Sequence, residues 1–388
     1  MLAVTLMSLA LAAFGHVAFW IAVDNRWHAL GYSRPLTKSV GMLFFAGLVA
    51  PLVWLAWQVT QFGWVSLEAY SWQLTPSTLY LGFCAAFGVL HLANWSSVRR
   101  LARTLPDATQ VDSRWIVNLV ERIGSSPARG PRAALFGLVP GNQLCQLHLS
   151  EATIRLPGVP PQLAGLSIVH WSDLHLSGRL DRGYYREIVA LTNQWQVDVL
   201  ALTGDVCDKA ACIDWIPELF GPAQARLGKF FILGNHDLRT HDTSRLRAVL
   251  AEAGFTDLGG QALELENRSL LMAGDERPWF PGEASLPEMP HDGRPPLKIL
   301  LAHTPDRLAW ARARQFDLML AGHTHGGQIR FPFIGPVVCP SWHGTKYAEG
   351  YFYQAPTLMH VSRGTGSLFP LRIGCPPEIT RLVMQPIA

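Results

Sequence analysis

The chain has 388 residues, more than a single domain usually holds, and its charge is spread so unevenly that a division falls near residue 100. A net charge of +3 offers no electrostatic case for a nucleic-acid partner. Its six cysteines, Cys84, Cys145, Cys207, Cys212, Cys339 and Cys375, form no C-x-x-C pair, which argues against a structural zinc site or a redox couple.

The first 98 residues carry only Asp24, Arg26, Arg34, Lys38 and Glu68 as charged side chains. Three apolar stretches, Met1 to Val23, Val40 to about Thr60 and Thr78 to Trp95, each approach the ~20 residues that cross a hydrocarbon core. Trp20, Trp54, Trp57, Trp64, Trp72 and Trp95 fall in or beside them, as an interfacial aromatic belt would. Residues 1–98 are therefore expected to be a transmembrane region of about three helices in the lipid bilayer; core helices of a large soluble domain are the alternative. No Lys or Arg precedes the first run, so it reads as a retained span and not a cleaved signal. Arg26, Arg34 and Lys38 follow the first span, and Arg99, Arg100 and Arg103 follow the third. Positive-inside counting thus predicts an integral inner-membrane protein with its N-terminus outside and its C-terminal domain in the cytoplasm, where free thiols are at home. Ala133 to Pro140 is too short to cross alone, and a crossing there would reverse that orientation. His16 and His91 lie inside the spans; each stands alone and is expected to be a neutral imidazole bonded to a helix carbonyl.

Residues 99–142 read as a basic connector, with seven Arg against three acids between Arg99 and Arg132, broken by Pro106, Pro127 and Pro131. Such a segment suits anionic headgroups or plain solvent. Residues 143–388 alternate strand and helix. Strands are predicted at Leu147 to Leu156, Leu166 to Trp171, Val197 to Thr203 and Lys229 to Leu233, and helices at Gly183 to Asn193, Ile213 to Ala225 and Thr243 to Ala253. Shorter strands follow at Ala262 to Leu265, Ser269 to Gly274, Lys298 to Ala302, Leu318 to Ala321, Thr357 to Ser362 and Glu378 to Met384. This order predicts an α/β fold with a strand-rich second half. Pro278 to Pro296, rich in Pro and Gly, is expected to be a loop that borders or covers a site.

Five of the apolar runs end in Asp, Asn or His: Ser172-Asp173-Leu174-His175, Gly204-Asp205, Gly234-Asn235-His236-Asp237, His303, and Gly322-His323-Thr324-His325. Strand ends are where open α/β sheets bind ligands. Carboxylate and amide oxygens together with imidazole nitrogens suit two divalent ions, Mn, Fe, Zn, Co or Mg, bridged by one carboxylate. Such a pair polarises a phosphate and supplies hydroxide for in-line attack, after which a general acid protonates the leaving group. Cys207, beside Asp205, is taken as packing, because the Asp, Asn and His set is sufficient without it.

Asp173-x-His175, Gly204-Asp205-x-x-Asp208, Gly234-Asn235-His236-Asp237, His303 and Gly322-His323-x-His325 together resemble the five-block signature of calcineurin-like metallophosphoesterases, in the family's order across residues 166 to 325. The resemblance implies a four-layer α-β-β-α sandwich with the metals at the strand ends. It implies that Asp173, His175, Asp205 and His325 hold one ion, that Asp205 bridges, and that Asn235, His303 and His323 complete the second. It makes His236 the catalytic histidine and Asp208 the carboxylate that orients it, unless Asp208 is a surface-turn residue; Asp237 is expected to support the site from behind. After the second Asp the chain reads Asp208-Lys209-Ala210 where the protein-phosphatase branch has Arg-Gly, which speaks against phosphoprotein substrates. Gly326-Gly327-Gln328, Lys346-Tyr347 and Ser362-Arg363-Gly364-Thr365-Gly366 are similar to stretches of membrane-anchored bacterial phosphoesterases, a subgroup with enzymes that act on lipid-linked phosphates. Lys346 and Arg363 are either phosphate contacts or plain surface charges. The expected function is hydrolysis of a phosphodiester or pyrophosphate in a phosphate-containing, lipid-linked substrate at the membrane. Cleavage of UDP-2,3-diacylglucosamine in lipid A assembly, action on a soluble nucleotide, and a non-hydrolysing phosphate sensor or scaffold are the alternatives.

Overall fold

A computed structural model describes residues 2–70, 76–103, 107–287 and 295–387. The chain divides into two compact units, Met1–Thr104 with Trp342–Lys346, and Leu105–Ser341 with Tyr347–Ala388.

The first unit is built on α1 (Leu2–His28), α2 (Arg34–Tyr70) and α3 (Pro76–Arg103). Leu6–His28, Arg34–Trp54 and Pro76–Val98 are each long and apolar enough to cross a bilayer, and they give the chain a membrane association. Small residues let α1 and α3 pack closely: a Cβ on Gly15 would stand 2.8 Å from the backbone nitrogen of Gly88. His16 is buried among the helices, with Nε2 2.8 Å from the carbonyl oxygen of Leu48 and Nδ1 2.7 Å from the Tyr80 hydroxyl. This is the carbonyl-bonded imidazole expected of a lone histidine in a span. His91 packs its ring against Phe14 and Phe87.

The second unit begins earlier than the sequence suggests. Residues 99–142, read as a connector, contain the end of α3, then β1 (Thr109–Asn118), α4 (Leu119–Ile123) and α5 (Pro131–Gly137). β1 runs antiparallel to β2 (Gln146–Leu156), from Thr109 opposite Ile154 to Asn118 opposite Gln146. As an edge strand it exposes Trp115 and Ile116 beside Arg114, so its sequence lacks the clean apolar run of a buried strand.

Next come β3 (Ser167–Trp171), α6 (Arg182–Asn193), β4 (Val199–Thr203), α7 (Ile216–Phe220), β5 (Gly228–Ile232), α8 (Thr243–Glu252) and β6 (Phe255–Asp257). They are followed by β7 (Ala262–Leu265), β8 (Leu270–Asp275), β9 (Leu297–Ala302), α9 (Leu308–Ala313) and β10 (Leu318–Ala321). A small hairpin of β11 (Arg330–Phe331) and β12 (Gly335–Pro336) precedes β13 (Gly350–Gln354), β14 (Thr357–Val361) and β15 (Glu378–Pro386). One sheet has the order β1-β2-β15-β3-β4-β5-β6 and the other β13-β14-β10-β9-β8-β7.

The central strands are buried on both faces, and side-chain alternation divides them between separate cores. Ile168, Val199, Ala201, Ile299, Leu301 and Leu318 fill the space between the sheets. Val169, Leu200 and Leu202 turn outward under α6, α7 and α8, while Leu300, Met319 and Ala321 turn outward toward α9. The result is the expected α-β-β-α sandwich. β3, β4 and β5 run parallel, as do β8, β9, β10 and β14, so the last residues of these strands gather at one edge of each sheet. Residues 278–287 and 295–296 of the expected site-bordering loop are described, and 288–294 lie outside the described residues.

Candidate metal centre

β3 delivers Ser172 and Asp173, β4 delivers Gly204 and Asp205, β5 leads to Gly234 and Asn235, β9 to His303, and β10 to Gly322 and His323. The polar groups converge because the backbone turns abruptly after each strand. Asp173, His175, Asp205, His323 and His325 all lie in the left-handed region, with φ of 54°, 51°, 53°, 70° and 52°. Each such residue costs on the order of 1–3 kcal/mol, so the surrounding fold must hold it in place. Glycines give the neighbouring segments room. A Cβ on Gly234 would overlap Asp205 Oδ1 and stand 2.6 Å from His303 Cε1.

Asp173, His175, Asp205 and His325 offer ligand atoms within 4.8 Å of one another, and Asp205, His303 and His323 form a second such group. Asp205 belongs to both, which is the position of a bridge. Nε2 of His175 lies 3.0 Å from Nε2 of His325, and His325 Nε2 lies 3.4 Å from Asp173 Oδ1. On the other side His303 Nε2 is 3.3 Å from Asp205 Oδ1 and 3.1 Å from the Asn235 amide oxygen. Two imidazole nitrogens facing each other among carboxylates suit a divalent cation between them, and the oxygen and nitrogen donors fit such ions.

Second contacts aim the donors. His303 Nδ1 lies 2.7 Å from the Thr203 carbonyl, so it donates there and leaves Nε2 free to ligate. The backbone nitrogen of His323 donates to both oxygens of Asp173, at 3.2 and 3.1 Å, and that of His236 donates to Asp205 Oδ1 at 2.7 Å. Asp237 accepts from the backbone nitrogens of Cys207 and Gly234, both at 2.8 Å, tying the second block to the third. Thr365 and Gly366 donate their backbone N–H groups to the carbonyls of Ser172 and Asp173. The Ser362–Gly366 segment therefore braces the first block.

Asp208 lies between two histidines, its Oδ1 2.8 Å from His175 Nδ1 and 3.1 Å from His236 Nδ1. It is almost completely buried, not on a surface turn. Arg239 donates from Nη2 to His236 Nε2 at 2.7 Å. Arg372, fully buried, donates to the carbonyls of Arg363, Cys375 and Gly366 and lies 3.3 Å from His325 Nδ1. Arg363 is matched by Glu378, with Nη2 2.6 Å from Oε2, and lies 3.3 Å from Glu349. Lys346 groups with the N-terminal unit, in the Trp342–Lys346 stretch. Cys207 is buried and its thiol faces carbonyl oxygens, as a packing residue would.

Burial would raise the pKa of Asp205, but His303, His236 and His175 hold it well below the usual carboxylate range. Burial would likewise depress His303, yet Asp205 and Asp173 lift it to about 9. Asp208 is also kept far down against burial, by His175 and His236. Burial lowers His236 to about 4 despite Asp205 and Asp208, and burial with the nearby Asp205 charge pushes Asp237 up to about 7. Burial raises Asp173 despite His303 and His175, so Asp205 and Asp208 are the carboxylates that the surrounding histidines hold ionised, and they supply the negative charge a cation would meet.

Residues 166–327 match the family described as calcineurin-like phosphoesterase. The chain is 31% identical over 253 residues to the uncharacterized metallophosphoesterase YkuE of Bacillus subtilis, covering 62% of this chain and 86% of that protein. It is 31% identical over 241 residues to the phosphodiesterase YaeI of Escherichia coli, covering 59% and 85% respectively. A Bos taurus transmembrane protein with metallophosphoesterase domain is 32% identical over 261 residues, covering 60% of this chain and 56% of that one.

Proposed function

Because the chain belongs to the calcineurin-like phosphoesterase family and is thereby a metal-dependent hydrolase, we propose that it cleaves a phosphodiester or pyrophosphate bond in a lipid-linked substrate at the membrane. The observation that carries the chemistry is the convergence of Asp173, His175, Asp205, His303, His323 and His325 on one buried cluster that shares Asp205. The observation that favours a lipid is the set of three apolar helices on the same chain, which keeps the site at high effective concentration near a bilayer.

In this reading Asp173, His175, Asp205 and His325 hold one divalent ion, and Asn235, His303 and His323 with the shared Asp205 hold the other. When bound, the two ions supply Lewis acidity toward the phosphoryl oxygens and make water acidic enough to serve as nucleophile near neutral pH. The chain's own residues do the rest. Asp208 accepts the Nδ1 proton of His236 and so orients Nε2. Arg239 donates to Nε2, and the leaving-group oxygen would take that place. The added negative charge of the substrate raises the proton affinity of His236, which takes a proton from solvent water onto Nε2 and passes it to the departing oxygen. Arg363, already balanced by Glu378 and Glu349, braces the segment behind Asp173 and leaves phosphate binding to others. The catalytic unit is cytoplasmic in this reading, in keeping with Arg99, Arg100 and Arg103 after the third span.

The test uses the full-length protein in detergent, metal-depleted and then supplied with Mn, acting on bis-p-nitrophenyl phosphate. Activity should return with Mn, fall ~10²–10⁴-fold in His236→Ala as loss of a general acid does, and vanish in Asp205→Asn. Activity that survives in Asp205→Asn would sink the assignment. A second arm compares lipid-linked diesters and UDP-diacylglucosamine with water-soluble nucleotides; preference for the soluble set would remove the lipid from the proposal.

A further inference from the structure

β8 ends as the five recognised strands do, in polar residues, yet it contributes no expected ligand: Gly274 is followed by Asp275, Glu276, Arg277, Pro278 and Trp279. Both carboxylates are buried, Asp275 at 0% and Glu276 at 4% exposure. Asp275 accepts from the backbone nitrogen of Arg277 at 3.0 Å, from Arg277 Nη2 at 2.6 Å and from Arg307 Nη2 at 2.9 Å. Glu276 accepts from the backbone nitrogen of Leu233 at 2.6 Å, directly before Gly234-Asn235, and from Arg247 Nη2 at 2.6 Å. Its carbonyl then receives the backbone nitrogens of Trp279 and Phe280, at 3.2 and 3.3 Å. Arg247 also lies over the Phe280 ring, 5.4 Å from its centre. The turn is therefore fastened on both sides, and it presents Trp279 in one place.

That place is against the second group of ligands. The Trp279 ring centre lies 5.3 Å from His303 at 71° and 4.7 Å from His323 at 55°, while the two imidazoles are 4.9 Å apart at 62°. Three rings thus close a triangle, and each of its histidines has the indole as a wall. The other half of the centre is backed differently, by Asp208 behind His175 and Arg372 behind His325.

We propose that Trp279, carried on the Asp275–Glu276 turn, is a positioning residue for His303 and His323 that sets affinity for the second divalent ion independently of the first. The inference rests on the two-ion reading above. Removing the indole opens a space beside both imidazoles and loosens the aim of the His323 donor toward the Asp205–His303 group, because a packing wall narrows the rotamers open to a ligand. Asp173, His175 and His325 keep their own supports.

The experiment titrates Mn into the metal-depleted full-length protein, with calorimetry for affinity and electron paramagnetic resonance for the exchange-coupled Mn pair. The wild type should bind two equivalents. In Trp279→Ala the first should bind as in the wild type and the second about tenfold or more weakly, with the coupled signal restored only by excess Mn. Trp279→Phe, which keeps an aromatic wall, should recover most of the second affinity. Unchanged affinity at both positions in Trp279→Ala would overturn the proposal, and so would equal weakening of both, which marks general loosening of the fold. A wild type that binds fewer than two ions would overturn the two-ion reading and this inference with it.

Discussion

Asp173, His175, Asp205, His323 and His325 combine two properties rarely found together: a side chain suited to a metal and a left-handed backbone. Their identities are visible in the sequence, and all seven expected ligands, with His236 and Asp208, meet within the catalytic unit. Their backbone conformation is not visible, because an Asp or His in that region carries no compositional mark of the kind a glycine does. The supports behind them are harder still to read: the Thr203 carbonyl that aims His303 has no side-chain signature. Gly234 tests how tightly this is built. Gly234→Ala places a Cβ against Asp205 and His303, and it should cost ~1–3 kcal/mol by overpacking and also lower metal binding. A thermal melt and metal content would check it, and a variant with unchanged melting temperature and full metal would mean that the site gives way easily.

Elements buried on both faces were the legible ones, because period-2 alternation matters little when every position is apolar, and a run such as Val199–Thr203 stands out. β1, with exposed edge positions, and the three-residue β6 were not. The helix expected from Ile213 to Ala225 divides into a 3-10 turn, Ala210–Trp215, and the short α7, which stops before Pro222. Where β3 and β14 face each other, His170 and His360 are buried with their Nδ1 atoms 2.9 Å apart. Burial and the facing His360 hold His170 well below its ordinary pKa, and burial brings His360 to about 4. The unfolded chain binds protons near pH 6.5 and the folded one does not, so stability is full above that pH and declines as pH falls toward 4. For His360 alone the loss amounts to about 3 kcal/mol. Melting temperatures from pH 7 to 4.5 should fall steeply in the wild type and less in His360→Asn; parallel curves would clear this pair of responsibility.

At the scale of the whole molecule, the sequence places a nearly uncharged region before a charged one, and the structure keeps them as two compact units with the division near residue 105. The proposed cytoplasmic placement of the catalytic unit rests on the Lys and Arg distribution alone. A green fluorescent protein fused after Ala388 should fluoresce, and an alkaline phosphatase at the same position should be inactive. The opposite pair of results would put the catalytic unit outside and make its substrates those of the other face.

The sequence by itself determined the set of Asp, Asn and His side chains, their order and their strand-end placement, because metal chemistry demands particular side chains and buried strands demand apolar runs, and both are local properties. It also determined three helices long and apolar enough to cross a membrane, since length and hydropathy are local too. Only the tertiary structure decided that Asp208 serves two histidines, that Asp237 ties Cys207 to Gly234, and that Trp279 closes a triangle with His303 and His323. Those contacts join residues from different strands and loops, and their effect comes from distance and direction, which no spacing along one chain contains.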